Sequence, residues 1–160
     1  MKDFIESQGN VFVAHRLRRT SDHIVRQVGE LLATLDIDVP PRGGSMMLLI
    51  AQEGPIGVVE ISRRLRLSHP LIVRMTQRFA DAGLATVRTD PADARRRLVA
   101  PTRKGLRQAA QLRAFNVRLG KMFDALFEEI GAPVIEILDR LDAALESVPI
   151  AERLSVSIAA

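Results

Sequence analysis

The sequence predicts a mainly α protein with a small β-wing, and three observations carry that expectation. Val58, Ile61 and Leu65 give one apolar helical face, and after the bend Arg66-Leu67-Ser68 a second helix reads through Ile72, Met75, Phe79 and Ala82. Two short β-capable runs, 84–88 and 97–100, flank the turn Asp90-Pro91-Ala92-Asp93-Ala94-Arg95-Arg96. Apolar-striped helices stand on both sides of this module. Helix, turn, helix and basic hairpin in that order is the layout of a winged helix-turn-helix, a duplex-DNA-binding lobe, flanked here by N- and C-terminal helices suited to dimerisation.

The elements follow from the residues in order. Ala14, Leu17, Ser21, Ile24, Val28, Leu31 and Leu35 recur at alternating spacings of three and four, which predicts a long N-terminal helix ending before Pro40-Pro41. Gly43-Gly44-Ser45 precedes the apolar run Met46-Met47-Leu48-Leu49-Ile50-Ala51, read as a short buried helix with Ser45 as its N-cap and Gly54-Pro55 as its stop. The double glycine is no phosphate loop, because no Lys-Ser/Thr follows and no strand precedes. Ser68 stands at an N-cap position, and Pro70 falls in the first turn, where the backbone donor it lacks has no helical partner. The outer face of that helix carries Pro70, Leu71, Val73, Arg74, Gln77 and Arg78, and Gly83 ends it. Thr102 opens a long helix with the seam Leu106, Leu112, Phe115, Leu119, Met122, Leu126 and Ile130. After the break Gly131-Ala132-Pro133, a last helix carries Val134, Ile137, Leu141 and Leu145. The expected organisation is a winged helix-turn-helix at 44–105, a helical dimerisation region at 1–38 and 106–148, and a C-terminal tail at 149–160.

Charge is distributed unevenly. Between Ile61 and Arg107 twelve Arg/Lys face three acids, a local +9, whereas the remainder of the chain carries −5 and the whole +4. A basic module between acidic flanks suits a polyanion, because neutralising phosphates releases counterions. With no cysteine, thiol sensing, disulfides and Cys-ligated metal centres are excluded. No His/Asp/Glu group has metal-ligand spacing, so neither metal nor cofactor is expected. The start Met1-Lys2-Asp3-Phe4-Ile5 is too polar for a signal peptide, and no 18-residue apolar stretch occurs, so a cytoplasmic protein without membrane attachment is expected. The absence of Trp and Tyr removes the usual base-stacking platforms of single-strand binders and favours duplex DNA.

Taken together, Gly54-Pro55-Ile56, Val59-Glu60-Ile61-Ser62-Arg63-Arg64-Leu65, the segment from Leu67-Ser68 to Arg74, Asp81-Ala82-Gly83-Leu84, Asp93-Ala94-Arg95 and Thr102-Arg103-Lys104-Gly105 resemble the MarR family of bacterial transcriptional regulators. The resemblance is dense over about fifty residues, and helix order extends it to nearly the whole chain. It implies a homodimer whose paired recognition helices enter successive major grooves of a pseudo-palindrome while the wings reach the adjacent minor grooves. Carried onto this chain, the helix after Ser68 is the recognition helix, Arg95 is the wing arginine that enters the minor groove, and Asp93 orients it. A guanidinium suits a narrow groove, where negative potential is concentrated. Four positions depart from the family pattern. Pro101 stands where leucine usually precedes the threonine, and Pro70, Leu71 and Val73 stand where small polar residues are common. Base readout then leans on Arg74 and Gln77, with Leu71 or Val73 against thymine methyls.

Further candidates are Ser68 and His69 as phosphate contacts at the helix start, with Arg78, Arg88, Arg96 and Arg97 adding basic contacts. His69 reads equally well as a solvent-exposed helix-start residue. The family resemblance also implies a small, often aromatic or acidic, effector, for which His15, Met46, Met47, Phe115 and Leu119 are the candidate lining residues; the alternative is ordinary core packing. His15 and His23, eight residues apart on one helix, are candidates for the same pocket, although a lone helical histidine is usually structural or exposed. An enzyme is not expected: there is no nucleophile with a base and no Walker motif, and Asp90 and Asp93 sit among arginines that keep both ionised. The competing class is a helical protein–protein adaptor whose basic module docks on an acidic partner.

Overall fold

The computed structural model describes residues 3–158, which form two compact units dividing between Phe115 and Asn116. In the first, α1 (Phe4–Ser7) and α2 (Val13–Thr34) lead through a 3₁₀ turn (Pro41–Gly43) into α3 (Gly44–Glu53). A two-residue strand β1 (Ile56–Gly57) precedes α4 (Val58–Leu65) and α5 (His69–Asp81). The strands β2 (Ala85–Asp90) and β3 (Asp93–Pro101) form the wing, and α6 (Arg103–Ile130) follows and runs into the second unit. The second unit adds α7 (Val134–Ser147) and α8 (Ile150–Ile158). The mainly α architecture with a small wing is thus as the sequence predicts.

The sheet has the order β1-β3-β2, with both pairs antiparallel. Ile56 pairs with Val99 and Gly57 with Leu98, so the start of α4 is tied by backbone to the wing strand. β1 leaves no mark in the sequence, because two residues are too few to show an alternating pattern.

The core of the first unit is built by Ile61 of α4, Ile72, Met75 and Phe79 of α5, Leu84, and Val99 of β3, all at most 5% exposed. Met46, Met47 and Ile50 of α3 fill it from the other side. Two glycines are required by close approach. A Cβ on Gly105 would lie 2.0 Å from the Leu84 carbonyl oxygen, and one on Gly43 would lie 2.8 Å from the Phe79 ring. Ser45 is not the cap: α3 starts at Gly44 directly out of the 3₁₀ turn, with Gly43 at the N-cap, so Ser45 falls within the helix.

Polar groups fix the remaining joints. The Thr102 hydroxyl donates to the Gly83 carbonyl at 2.7 Å and accepts from the Gly105 N–H at 3.0 Å, capping α6 and stitching it to the end of α5. Lys104 donates to the Ala82 carbonyl at 3.1 Å and pairs with Asp38 at 2.8 Å. Buried Gln108 accepts from the Asp38 N–H and donates to the Asp36 carbonyl, holding the segment after α2, where Asp36 takes a left-handed φ of 53°.

On α2 the expected apolar row is mostly exposed: Leu17, Ile24, Leu31 and Leu35 face solvent in the single chain, and the buried or half-buried positions are Val25, Val28, Gly29 and Leu32, together with half-buried Arg16 and Arg19. The helix therefore carries two apolar faces: of the expected row only Val28 turns inward, and the rest forms the exposed face. In the second unit Phe123 and Phe127 stack, with ring centres 5.7 Å apart, while α7 has no buried residue and Ile137, Leu141 and Leu145 are exposed. The segment read as a tail at 149–160 contains α8 instead. Arg153 explains its start, donating to the carbonyls of Ala144 and Val148 and so bridging the end of α7 to the new helix across Pro149.

Candidate nucleic-acid interface

The turn between α4 and α5 is set by Arg66, which takes the left-handed conformation at φ 53°. The Leu67 N–H returns to the Ser62 carbonyl at 3.1 Å, and the Ser62 hydroxyl donates to the Leu67 carbonyl at 2.5 Å. Ser68 then occupies the N-cap of α5 with extended backbone, and Pro70 lies in the first turn, as expected. The Ser68 side chain makes no capping hydrogen bond, which leaves its hydroxyl available at an exposed helix start. At the other end Gly83, at φ 66°, closes a Schellman motif: its N–H bonds to the Ala80 carbonyl, and the Leu84 N–H bonds to that of Phe79.

With Ile72, Met75, Thr76 and Phe79 turned inward, α5 exposes His69, Pro70, Val73, Arg74, Gln77 and Arg78, and Leu71 is half-buried. Gln77 donates one N–H to the Asp81 carboxylate at 2.8 Å. Thr76 is buried as well, a polar residue that its spacing from Ile72 and Phe79 places on the inward face.

The wing contains a bulge. Thr89 pairs with Arg97, and the next residue of β2, Asp90, pairs with Asp93, leaving Ala94, Arg95 and Arg96 outside the register. Asp93 accepts the Arg95 backbone N–H at 3.0 Å, so it fixes the main chain from which the arginine projects. Arg95 and Arg97 are exposed, as is Arg88 on β2. Arg96 differs, pairing with Asp90 at 3.4 Å.

A groove of about 580 Å³ lies between α4, α5 and the wing. His69, Val73 and Gln77 line it from α5, Arg95, Arg96 and Arg97 from the wing, and Val59 and Glu60 from α4. Six of the sequence-chosen residues are thereby brought round one concavity. The others, Ser68, Pro70, Leu71, Arg74, Arg78, Arg88 and Asp93, do not line it. Glu60 is held ionised: its hydrogen bonds from Arg63 keep the carboxyl below the usual glutamate range. It is the acid that the sequence reading overlooked in this basic surface.

The effector candidates lie in different surroundings. Met46, Met47 and Phe115 are buried in the first unit, His15 is exposed on α2, and Leu119 is half-buried in the second unit. Among the described residues no group of three or more His, Cys, Asp or Glu is placed to hold a metal, and no helix is long and apolar enough to cross a membrane.

These features define the class of a winged helix-turn-helix protein. The family model described as MarR family matches residues 44–96, from α3 to the wing arginines. The fold agrees. A MarR transcriptional regulator from Methanosarcina mazei Go1 superposes with a TM-score of 0.64 at 15% identity, covering 86% of this chain and 99% of that one. MepR of S. aureus, solved as a DNA complex, gives 0.65 at 16% identity over 81% and 97% of the two chains. PcaV, a transcriptional regulator from Streptomyces coelicolor, gives 0.61 at 22% identity over 84% and 98%. No curated protein matches the sequence.

Proposed function

We propose that this chain is a sequence-specific, duplex-DNA-binding transcriptional regulator that acts as a homodimer and represses by occupying a pseudo-palindromic operator. The observation that carries the reading is the convergence of His69, Val73 and Gln77 of α5 with Arg95 and Arg97 of the wing round one groove. In this reading α5 enters the major groove, where Arg74 and Gln77 meet base edges and Leu71 or Val73 meets thymine methyls. Ser68, His69, Arg78, Arg88 and Arg97 meet phosphates, and Arg95 enters the adjacent minor groove from a bulge whose main chain Asp93 holds. The MarR-family match at 44–96 and the likeness to MepR, solved with DNA, support it.

Dimerisation is supported by the second apolar face of α2 and by the exposed apolar residues of α7. Release by a small ligand rests on the family resemblance alone; such a ligand acts by favouring a dimer geometry whose recognition helices no longer match successive grooves. Selection of bound duplexes from genomic fragments tests the proposal. Enriched fragments should share a pseudo-palindrome with half-sites about one helical turn apart, roughly 10 base pairs; recovery of fragments with no common sequence overturns specific regulation.

A further inference from the structure

Arg96 stands among wing residues that the sequence groups together as basic contacts, yet its surroundings set it apart. Its guanidinium pairs with Asp90, whose side chain is only 12% exposed, at 3.4 Å. The same carboxylate accepts the Ala92 N–H at 2.9 Å, so one acid holds both the tip of the turn and the arginine. On its other side the guanidinium lies against the backbone of Gly57, close enough that a Cβ there would stand 3.3 Å from Nη2. Gly57 is the N-cap of α4 and a member of β1. Arg96 therefore links the far end of β2 to the start of the first helix of the helix-turn-helix, and it does so from inside the bulge that carries Arg95.

We infer that Arg96 is a positioning residue: it braces the bulged wing against α4 through Asp90 and Gly57, and so sets where Arg95 meets DNA. A bulge gives up regular ladder pairing and re-aims a side chain, so its direction must be fixed by something else. A planar guanidinium, able to approach a glycine closely while pairing with a carboxylate, suits that task. With more than half of the Arg96 side chain exposed, the pair adds little to global stability. Its effect falls on the wing.

This inference rests on the DNA-binding reading, and the test separates the two. Duplex affinity is measured for the whole protein and for Asp90→Asn, Arg95→Ala, Arg96→Ala and the Arg95/Arg96 double variant, beside amide hydrogen exchange in the wing and the thermal midpoint. Asp90→Asn keeps an acceptor for the Ala92 N–H but removes a negative charge. The brace predicts weaker DNA binding, faster exchange at residues 93–97 and an unchanged midpoint. Were Arg96 instead a phosphate contact, freeing it from Asp90 would tighten binding, and that result overturns the inference.

The double variant gives a second, independent sign. Arg95→Ala should cost on the order of tenfold in the wild-type background, the size expected for a lost charged hydrogen bond, and less than about twofold once Arg96 is gone. Additive losses contradict the brace. If the wild type binds no duplex at low salt, the DNA reading fails, and hydrogen exchange in Asp90→Asn still decides whether the wing is braced: unchanged exchange overturns it.

Discussion

Arg95 and Arg96 are chain neighbours with the same chemistry, and the wing gives them different surroundings. The first projects from a main chain fixed by Asp93, and the second turns back on Asp90. Replacing Arg95 with alanine should therefore weaken duplex binding and lower the slope of log K against log salt by about one unit, as the loss of one phosphate-level contact demands; binding isotherms at four or more salt concentrations measure it. Arg74→Ala has a different signature. If Arg74 reads a base, selection with this variant returns a sequence logo degraded at one position in each half-site, whereas an unaltered logo removes the role. Glu60 offers a check on the local electrostatics. Its folded pKa lies below the unfolded value through hydrogen bonds from Arg63, so its contribution to stability is present above the ordinary glutamate range and disappears as pH falls through the folded pKa. In an NMR titration Arg63→Ala should move the Glu60 midpoint upward; no movement means that Arg63 is not the cause.

At the scale of elements, the joint between α5, the wing and α6 determines how the reading surface is presented. Thr102 closes it with its hydroxyl, and Gly105 allows α6 to meet the Leu84 carbonyl backbone to backbone. Gly105→Ala places a methyl where rigid backbone already stands, so a destabilisation at or above the ~1–3 kcal/mol typical of overpacking is expected in thermal or denaturant unfolding. A neutral result would show that α6 can move away from Leu84. Periodicity made α3, α4, α5 and the long helices legible, and Pro70 and Gly83 marked the limits of α5 correctly. Features depending on tertiary contact did not show in this way: β1 is two residues long, the wing bulge has no sequence period, and the Lys104 and Gln108 clamps join polar residues to carbonyls far away in the chain. Exposure was readable where the residue stands in the turn between the strands, as for Arg95. The site was unreadable where a neighbour in space redirects the side chain, as for Arg96, Gln77 and Glu60.

For the whole molecule, the row Leu17, Ile24, Leu31 and Leu35 shows what a single sequence leaves open. Its spacing marks an apolar helix face without saying whether the face meets its own core or another chain, and in the structure a different row of α2 turns inward. Exposed apolar rows on α2 and α7 are a cost for an isolated chain and a gain for a two-fold assembly that covers them. Sedimentation should give a dimer at micromolar concentration, and Ile137→Glu with Leu141→Glu should halve the mass and weaken operator binding together; a monomeric wild type removes the dimer from the account. The central claim, that the face formed by α5 and the wing binds duplex DNA, is tested most directly by a fluorescence anisotropy titration of a labelled duplex at stepped salt, with an acidic polypeptide as competitor. The account predicts saturable binding at low salt, a log K falling linearly with log salt, and poor displacement by the polypeptide; no binding to duplex at low salt, with retention of the acidic polypeptide instead, would contradict it.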